Sequence, residues 1–193
     1  MKQSFKAWVA TATVVAAGVS GIGPAQAENF FEEVRVAAFD HDTGIVGSSK
    51  EDGADIGIEV LSRPISSLRL IGEPRLVFGV NVNTEGQTNQ AYAGLNAQWG
   101  FASDSFRQGD SFFLEGSVGV TYHDGERDVR NTPEDAEWKS HGSSFLFRTG
   151  FGAGYRFNEH WSVSAALYHI SNANTAEPNQ GSNNIGLQLG YRF

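Results

Sequence analysis

The chain has 193 residues, with 14 Lys and Arg against 22 Asp and Glu, a formal charge of −8 and no cysteine. Its scattered basic residues argue against nucleic-acid binding, which draws on clustered Lys and Arg, and the lack of Cys excludes disulfide bracing, thiol nucleophiles and thiolate metal sites. The 23 glycines, 14 phenylalanines and 4 tryptophans suit strands that show one face to lipid and the other to a polar interior.

At the N-terminus, Lys2 and Lys6 precede an apolar run from Ala7 to Val19, followed by Gly23, Pro24, Ala25, Gln26 and Ala27. That order of charge, apolar run and small-residue Ala-Gln-Ala site predicts a secretory signal peptide over residues 1–27 and a mature domain over 28–193 that starts near Glu28. Beyond Glu28 no apolar stretch reaches the roughly 18 residues of a membrane helix, so spanning by helices is excluded.

The mature sequence breaks into eight alternating apolar segments with no useful helical period: residues 32–40, 54–62, 74–83, 90–101, 111–123, 143–157, 160–172 and 183–193. These predict an all-β fold, an eight-stranded antiparallel transmembrane β-barrel. A first strand that starts in the periplasm puts loops 41–53, 84–89, 124–142 and 173–182 outside, including the longest polar segment, as this class requires. Asn158 and Glu159 make a tight inner turn, whereas the inner segments 63–73 and 102–110 are longer than usual.

Asp40, His41 and Asp42, at the first outer loop, lack the carboxylate spacing of a calcium loop and read as a polar extracellular loop. Glu59, Glu115, Arg148 and Arg156 fall on interior faces and predict an ion-pair network that plugs the bore. In the sixth segment Phe145, Phe147, Phe151, Tyr155 and Phe157 share one face; Ser144, Arg148, Gly150, Gly152, Gly154 and Arg156 share the other. Small interior residues fit a narrow lumen, so Gly150 to Gly154 reads as lumen packing and not as a phosphate loop. No Gly-x-Ser-x-Gly elbow, Walker loop or zinc-spaced histidine pair occurs, and no metal site is expected.

The seventh segment places Trp161, Val163, Ala165 and Leu167 toward lipid, and the same parity then presents His169 and Ser171 near its outer end. An unpaired imidazole or hydroxyl in an apolar setting costs on the order of 1 to 3 kcal/mol, so such groups have partners or a function. Residues two apart lie about 6.6 Å apart along a strand, which at a twisted strand end lets His169 act as base for Ser171. Asn183 falls on the matching face of the eighth segment as a third group. The bland reading is a polar interfacial rim. Asn172, Asn174 and Asn179 add amide donors for an oxyanion, although Asn is also common in turns. The last segment, with Ile185, Leu187, Leu189, Tyr191 and Phe193 on one face, ends on an aromatic residue, which looks like the signal read by the outer-membrane barrel assembly machinery.

Tyr168-His169-Ile170-Ser171-Asn172-Ala173, followed by Pro178-Asn179-Gln180-Gly181, resembles the His-x-Ser-Asn-Ala and Pro-Asn-x-Gly signature of the lipid A 3-O-deacylase (PagL) family. The likeness is sharp over residues 168–184, and the strand count, His41-Asp42 and Phe193 agree with it. In that family an eight-stranded barrel carries a Ser, His and Glu triad on its outer wall. The resemblance makes Ser171 the nucleophile, His169 the base, and Asn172 and Asn179 the amides that help bind the oxyanion. One position departs: the family's glutamate corresponds to Asn183. An amide can hold a histidine tautomer but brings no negative charge; in a Ser-His-Asp enzyme that exchange cost about 10⁴ in turnover, with a wrong tautomer contributing. Three outcomes follow in order: Asn183 is a neutral orienter, Glu177 reaches the ring instead, or the site is weak or dead.

The resemblance therefore implies an outer-membrane serine esterase that removes the 3-O-linked acyl chain from lipid A of lipopolysaccharide, with no cofactor. The rivals are a non-enzymatic adhesive or structural barrel and a lipid acyltransferase barrel. Which acyl position is cut, whether phospholipid is the substrate, and whether the barrel forms a homodimer are not fixed by the sequence.

Overall fold

A computed structural model describes residues 30–45, 47–101 and 111–193. The expected signal peptide, the start at Glu28 and the inner segment 102–110 lie outside the described residues. The strands are β1 (Phe31–Asp40), β2 (Ala54–Ser62), β3 (Arg75–Asn83), β4 (Gln90–Phe101), β5 (Ser111–His123), β6 (Phe145–Arg156), β7 (Trp161–Ser171) and β8 (Ser182–Arg192). Each pairs antiparallel with its neighbours in sequence, and β8 returns to β1, where Val36 faces Leu189, to close the barrel. Closure removes sheet edges, so backbone pairing continues around the whole ring. Short 3-10 helices occupy Ser66–Ile71, between β2 and β3, and Pro133–Ala136, between β5 and β6.

Period two decides which side chains meet lipid. On β6, Phe145, Phe147 and Phe151 are exposed on the wall, while Leu146 and Arg148 are buried inside. The interior glycines make room for large neighbours. A Cβ on Gly150 would strike the Tyr168 ring, and one on Gly154 the Phe113 ring, so these positions are packed lumen as expected.

The bore is filled by ions, with a different membership from the one expected. Arg35 is the hub, bonding Glu33 at 2.5 Å, Glu59 at 3.2 Å and Glu115 at 3.0 Å, and Arg75 meets Glu33 at 2.6 Å. Arg148 instead lies between two rings, its guanidinium carbon 3.8 Å from the Tyr92 centroid and 3.6 Å from that of Tyr168. A planar guanidinium is attracted to the π-faces on either side of it. Arg156 lies farther along and reaches Gln98 at 3.4 Å.

The outer end is capped by a buried cluster, and the polar outer loop expected at His41 and Asp42 contributes both residues to it. Both are buried. His41 bonds Glu51 through Nε2 at 2.9 Å and Asp55 through Nδ1 at 2.9 Å. Burial opposes its charge, yet the two carboxylates raise the ring to a pKa of about 9, so it stands as an imidazolium donating from both nitrogens. Glu51 also accepts from the Lys139 N–H at 2.9 Å. Burial would raise its pKa, but these donors hold it below the ordinary value. Lys139 is buried too, with Nζ 3.3 Å from Asp42 and hydrogen-bonded to the Ser48 and Gly181 carbonyls. A buried charge is tolerable only when paired in this way.

Candidate active site

β7 carries His169 and Ser171 on its outward face and Ile170 inward, continuing the alternation of Trp161 to Leu167, and Asn172, just past its end, is buried. Ser171 pairs across β6 with the exposed Phe147, and His169 pairs with Thr149 on that side and with Asn183 on β8. The register that closes the barrel thus brings residues 169 and 183 face to face. His169 Nδ1 lies 2.8 Å from Asn183 Oδ1. Because the amide oxygen only accepts, that contact puts the proton on Nδ1 and leaves Nε2 with a lone pair. Asn183 is itself 1% exposed, so the orienting group is shielded from water while the ring it holds is partly open.

The ring is also held from one edge. A Cβ on Gly181 would fall 2.8 Å from His169 Cε1 and 2.8 Å from the Ile170 carbonyl oxygen; only glycine allows the loop so close. The Gly181 carbonyl accepts from Lys139 Nζ at 3.1 Å. The Asn183 carbonyl accepts from the Thr43 N–H at 2.8 Å, and Asn184, next in β8, turns inward and donates to Asp55. The buried cap therefore sits directly behind the imidazole.

Not every expected group is brought to the ring. Among the described residues no hydrogen bond joins Ser171 to His169, which are outward neighbours on one strand. Glu177 is exposed, and no hydrogen bond or ion pair connects it to His169; its charge acts on Arg130. Asn172 commits its donors to the loop: the N–H to Asn179 Oδ1 at 3.0 Å, and Nδ2 to the carbonyls of His141, Ala176 and Pro178 at 2.9 to 3.0 Å. Asn179 Nδ2 donates to the Asn174 side chain at 2.8 Å, which uses one of its two hydrogens.

Lys139, His141 and Gly181 escaped the sequence reading as site residues. Ser140 and Gln180 exchange backbone and side-chain hydrogen bonds, and His141 Nδ1 donates to the Gln180 carbonyl at 2.8 Å. Burial, with His123 close by, lowers His141 to a pKa of about 4, so it is neutral. At Gly142, with φ 73, a Cβ would strike the Pro178 carbonyl and the Asn172 side chain. A Lys-Ser-His-Gly run inside a long polar segment carries no period that would signal this burial.

A family model described as lipid A 3-O-deacylase (PagL) matches residues 75–192, from the start of β3 to the end of β8. The chain belongs to the lipid A 3-O-deacylase family. The match includes His169, Ser171 and Asn183; β1, β2 and the helix Ser66–Ile71 precede it. No curated protein sequence matches the chain. Among solved structures, the outer membrane enzyme PagL aligns with a TM-score of 0.58 at 18% identity, covering 82% of this chain and 97% of that one. The N-terminal β-barrel domain of Pseudomonas aeruginosa OprF aligns at 0.45 and 14% identity, covering 84% and 98%. Yersinia pestis Ail aligns at 0.42 and 9% identity, covering 84% and 99%. With the family goes its cellular place: this is an outer-membrane barrel.

Proposed function

We propose that this lipid A deacylase is a serine esterase that removes the 3-O-linked acyl chain of lipid A in the outer leaflet. The observation that carries the reading is the His169 Nδ1 to Asn183 Oδ1 bond of 2.8 Å on the lipid-facing wall, which fixes the base tautomer beside an outward hydroxyl. Polar groups so placed gain nothing from the bilayer, and their value lies in chemistry at the headgroup level.

An acyl chain lies along the wall past Phe147, and its ester carbonyl reaches Ser171. His169 Nε2 closes on Ser171 Oγ as the lipid binds, since catalytic hydrogen bonds commonly tighten in the substrate complex. Oγ attacks the carbonyl carbon as its proton passes to Nε2. Collapse of the tetrahedral intermediate breaks the C–O bond, and His169 returns the proton to the departing sugar hydroxyl. Water, deprotonated by the same nitrogen, then releases the fatty acid from Ser171.

The remaining N–H of Asn179 is the side-chain donor we assign to the oxyanion. Asn172, whose donors are spent on loop carbonyls, holds that loop in place. Asn183 supplies orientation without charge, so the imidazolium is less stabilised than beside a carboxylate and turnover is lowered. This mechanism calls on no metal or organic cofactor.

Mass spectrometry of lipid A from cells making the intact protein or Ser171→Ala tests the reading. Loss of one hydroxyacyl chain with the intact protein alone is the expected result. Unchanged lipid A in both, with folded barrel in the membrane, overturns it in favour of a binding barrel. Transfer of the chain to a lipid acceptor, without free fatty acid, replaces hydrolysis by acyl transfer.

A further inference from the structure

The connection between β2 and β3, residues 63–74, lies at the end of the barrel opposite His169 and is longer than the turn 157–160 between β6 and β7. It carries the 3-10 helix Ser66–Ile71, in which no residue is buried. Leu70 is 96% exposed and Ile71 58%, with Leu68 also exposed beside them. Neighbouring large aliphatic side chains left open in this way mark an interaction surface.

The place where the helix ends identifies what covers it. Gly72 closes it in the left-handed conformation, at φ 87, and a Cβ there would lie 2.8 Å from Trp99 Nε1. The helix end thus rests against the indole. Trp99 pairs with Leu114, and Phe101 with Phe112, on the last rungs of β4 and β5; all four are exposed on the outer wall. Phe157 and Trp161 continue this aromatic rim, the kind of belt that sits at a membrane interface. The apolar helix is continuous with the surface already in lipid. Arg63 and Arg69 are exposed on the same connection and supply cations where phospholipid phosphates lie.

We propose that Ser66–Ile71 is a membrane anchor. Leu68, Leu70 and Ile71 enter the periplasmic leaflet beside Trp99, and Arg63 and Arg69 bind phospholipid phosphates. The inference rests on the outer-membrane placement of the barrel and not on the hydrolase mechanism. The segment precedes the residues matched by the family model. Its effect is to fix the depth of the barrel, and so the height of His169 and Ser171 in the opposite leaflet.

The chain has no cysteine, so single labelling sites are clean. Leu68→Cys, Leu70→Cys and Ile71→Cys, each carrying an environment-sensitive nitrobenzoxadiazole, are placed in the full barrel in phosphatidylethanolamine and phosphatidylglycerol vesicles. Glu134→Cys, in an outer loop, is the aqueous reference and Val118→Cys, on the wall, the lipid reference. Only preparations with the heat-dependent gel mobility of a closed barrel are compared. The expected result is quenching by doxyl lipids at position 70, with access to aqueous iodide reduced by about threefold or more relative to position 134, as for an interfacial element. A label at 70 as open to iodide as that at 134 and untouched by doxyl lipid overturns the proposal. So does protection that appears only at high protein density without doxyl quenching, which assigns the surface to a second copy.

Discussion

The lumen and the outer wall near the ends of β7 and β8 both hold polar side chains away from bulk water, and they treat them in opposite ways. Inside, Arg35 gathers Glu33, Glu59 and Glu115, Arg75 shares Glu33, and Arg148 is clasped by two tyrosines. Outside, the His169 ring is bonded at Nδ1 only, and among the described residues the Ser171 hydroxyl makes no hydrogen bond. A buried polar group gathered among several partners holds structure together; one held on a single side and open on the other is prepared to act. The contrast separates residues whose loss unfolds the barrel from residues whose loss silences it.

The sharpest break in that contrast is His169→Ala, expected to lower turnover by about 10⁴-fold or more with the barrel still folded, because base and nucleophile act as one unit. Fatty-acid release and heat-dependent gel mobility, measured together, check it; a variant that fails to fold puts His169 among the structural residues. The converse is Arg35→Met, which leaves the buried carboxylates of Glu59 and Glu115 without a cation while Glu33 keeps Arg75, and removes about 3 to 5 kcal/mol of stability. Urea unfolding in vesicles reads the loss, while kcat of the folded fraction stays close to that of the parent.

The cap between these regions gives a pH window. His41, with its pKa raised to about 9, contributes stability that is complete below about pH 6.5 and is lost as pH rises through 9. His141, lowered to about 4, contributes stability that is complete above about pH 6.5 and is lost as pH falls through 4. Each contribution is at most about 3 kcal/mol, so the cap is firmest near pH 6.5. Hydrogen exchange at the Lys139 and Gln180 amides, corrected for intrinsic rates, should show both arms. His41→Asn removes the alkaline arm, and His141→Asn weakens the acidic one, to which Glu51 also contributes.

Two milder changes sharpen the picture. Lys139→Met releases the Gly181 carbonyl and leaves Asp42 without its cation, and is expected to lower kcat by about tenfold through a looser His169, on the scale set by a lost charged hydrogen bond. KM changes less, and Lys139→Arg restores part of the rate if the role is to position the loop. Asn183→Glu should be at least as active as the parent, since a carboxylate accepts the same Nδ1 proton and adds charge. A large loss there would show that the amide itself is required.

Most of the barrel could be read before any coordinates, for a physical reason. In a closed sheet one face meets lipid and the other a tight bore, so alternation persists through each strand and breaks at the loops. The boundaries of β2, β4 and β5 match the expected segments, and the others shift by one or two residues. The same parity placed His169, Ser171 and Asn183 on the wall. Parity gives the side of the sheet and not the partner, which is why Arg35 as hub and Arg148 between tyrosines went unseen. The cap was hidden for another reason. Lys139 and His141 belong to a stretch as polar as any solvated loop, and they are buried because three outer loops fold over one another, a contact between segments far apart in the chain.

Asn183 and Asn184 adjoin in β8, the first turned to the imidazole on the wall and the second to Asp55 within the cap. Chemically identical side chains thus hold two unlike posts only because successive positions of a pleat point opposite ways. Slippage of β8 by a single position would leave one post without its amide, setting either Ser182 against the histidine or Ile185 in the cap. Anyone transplanting this loop onto another scaffold must keep not only Gly181 and Asn179 but also the odd-and-even phase of the strand it feeds.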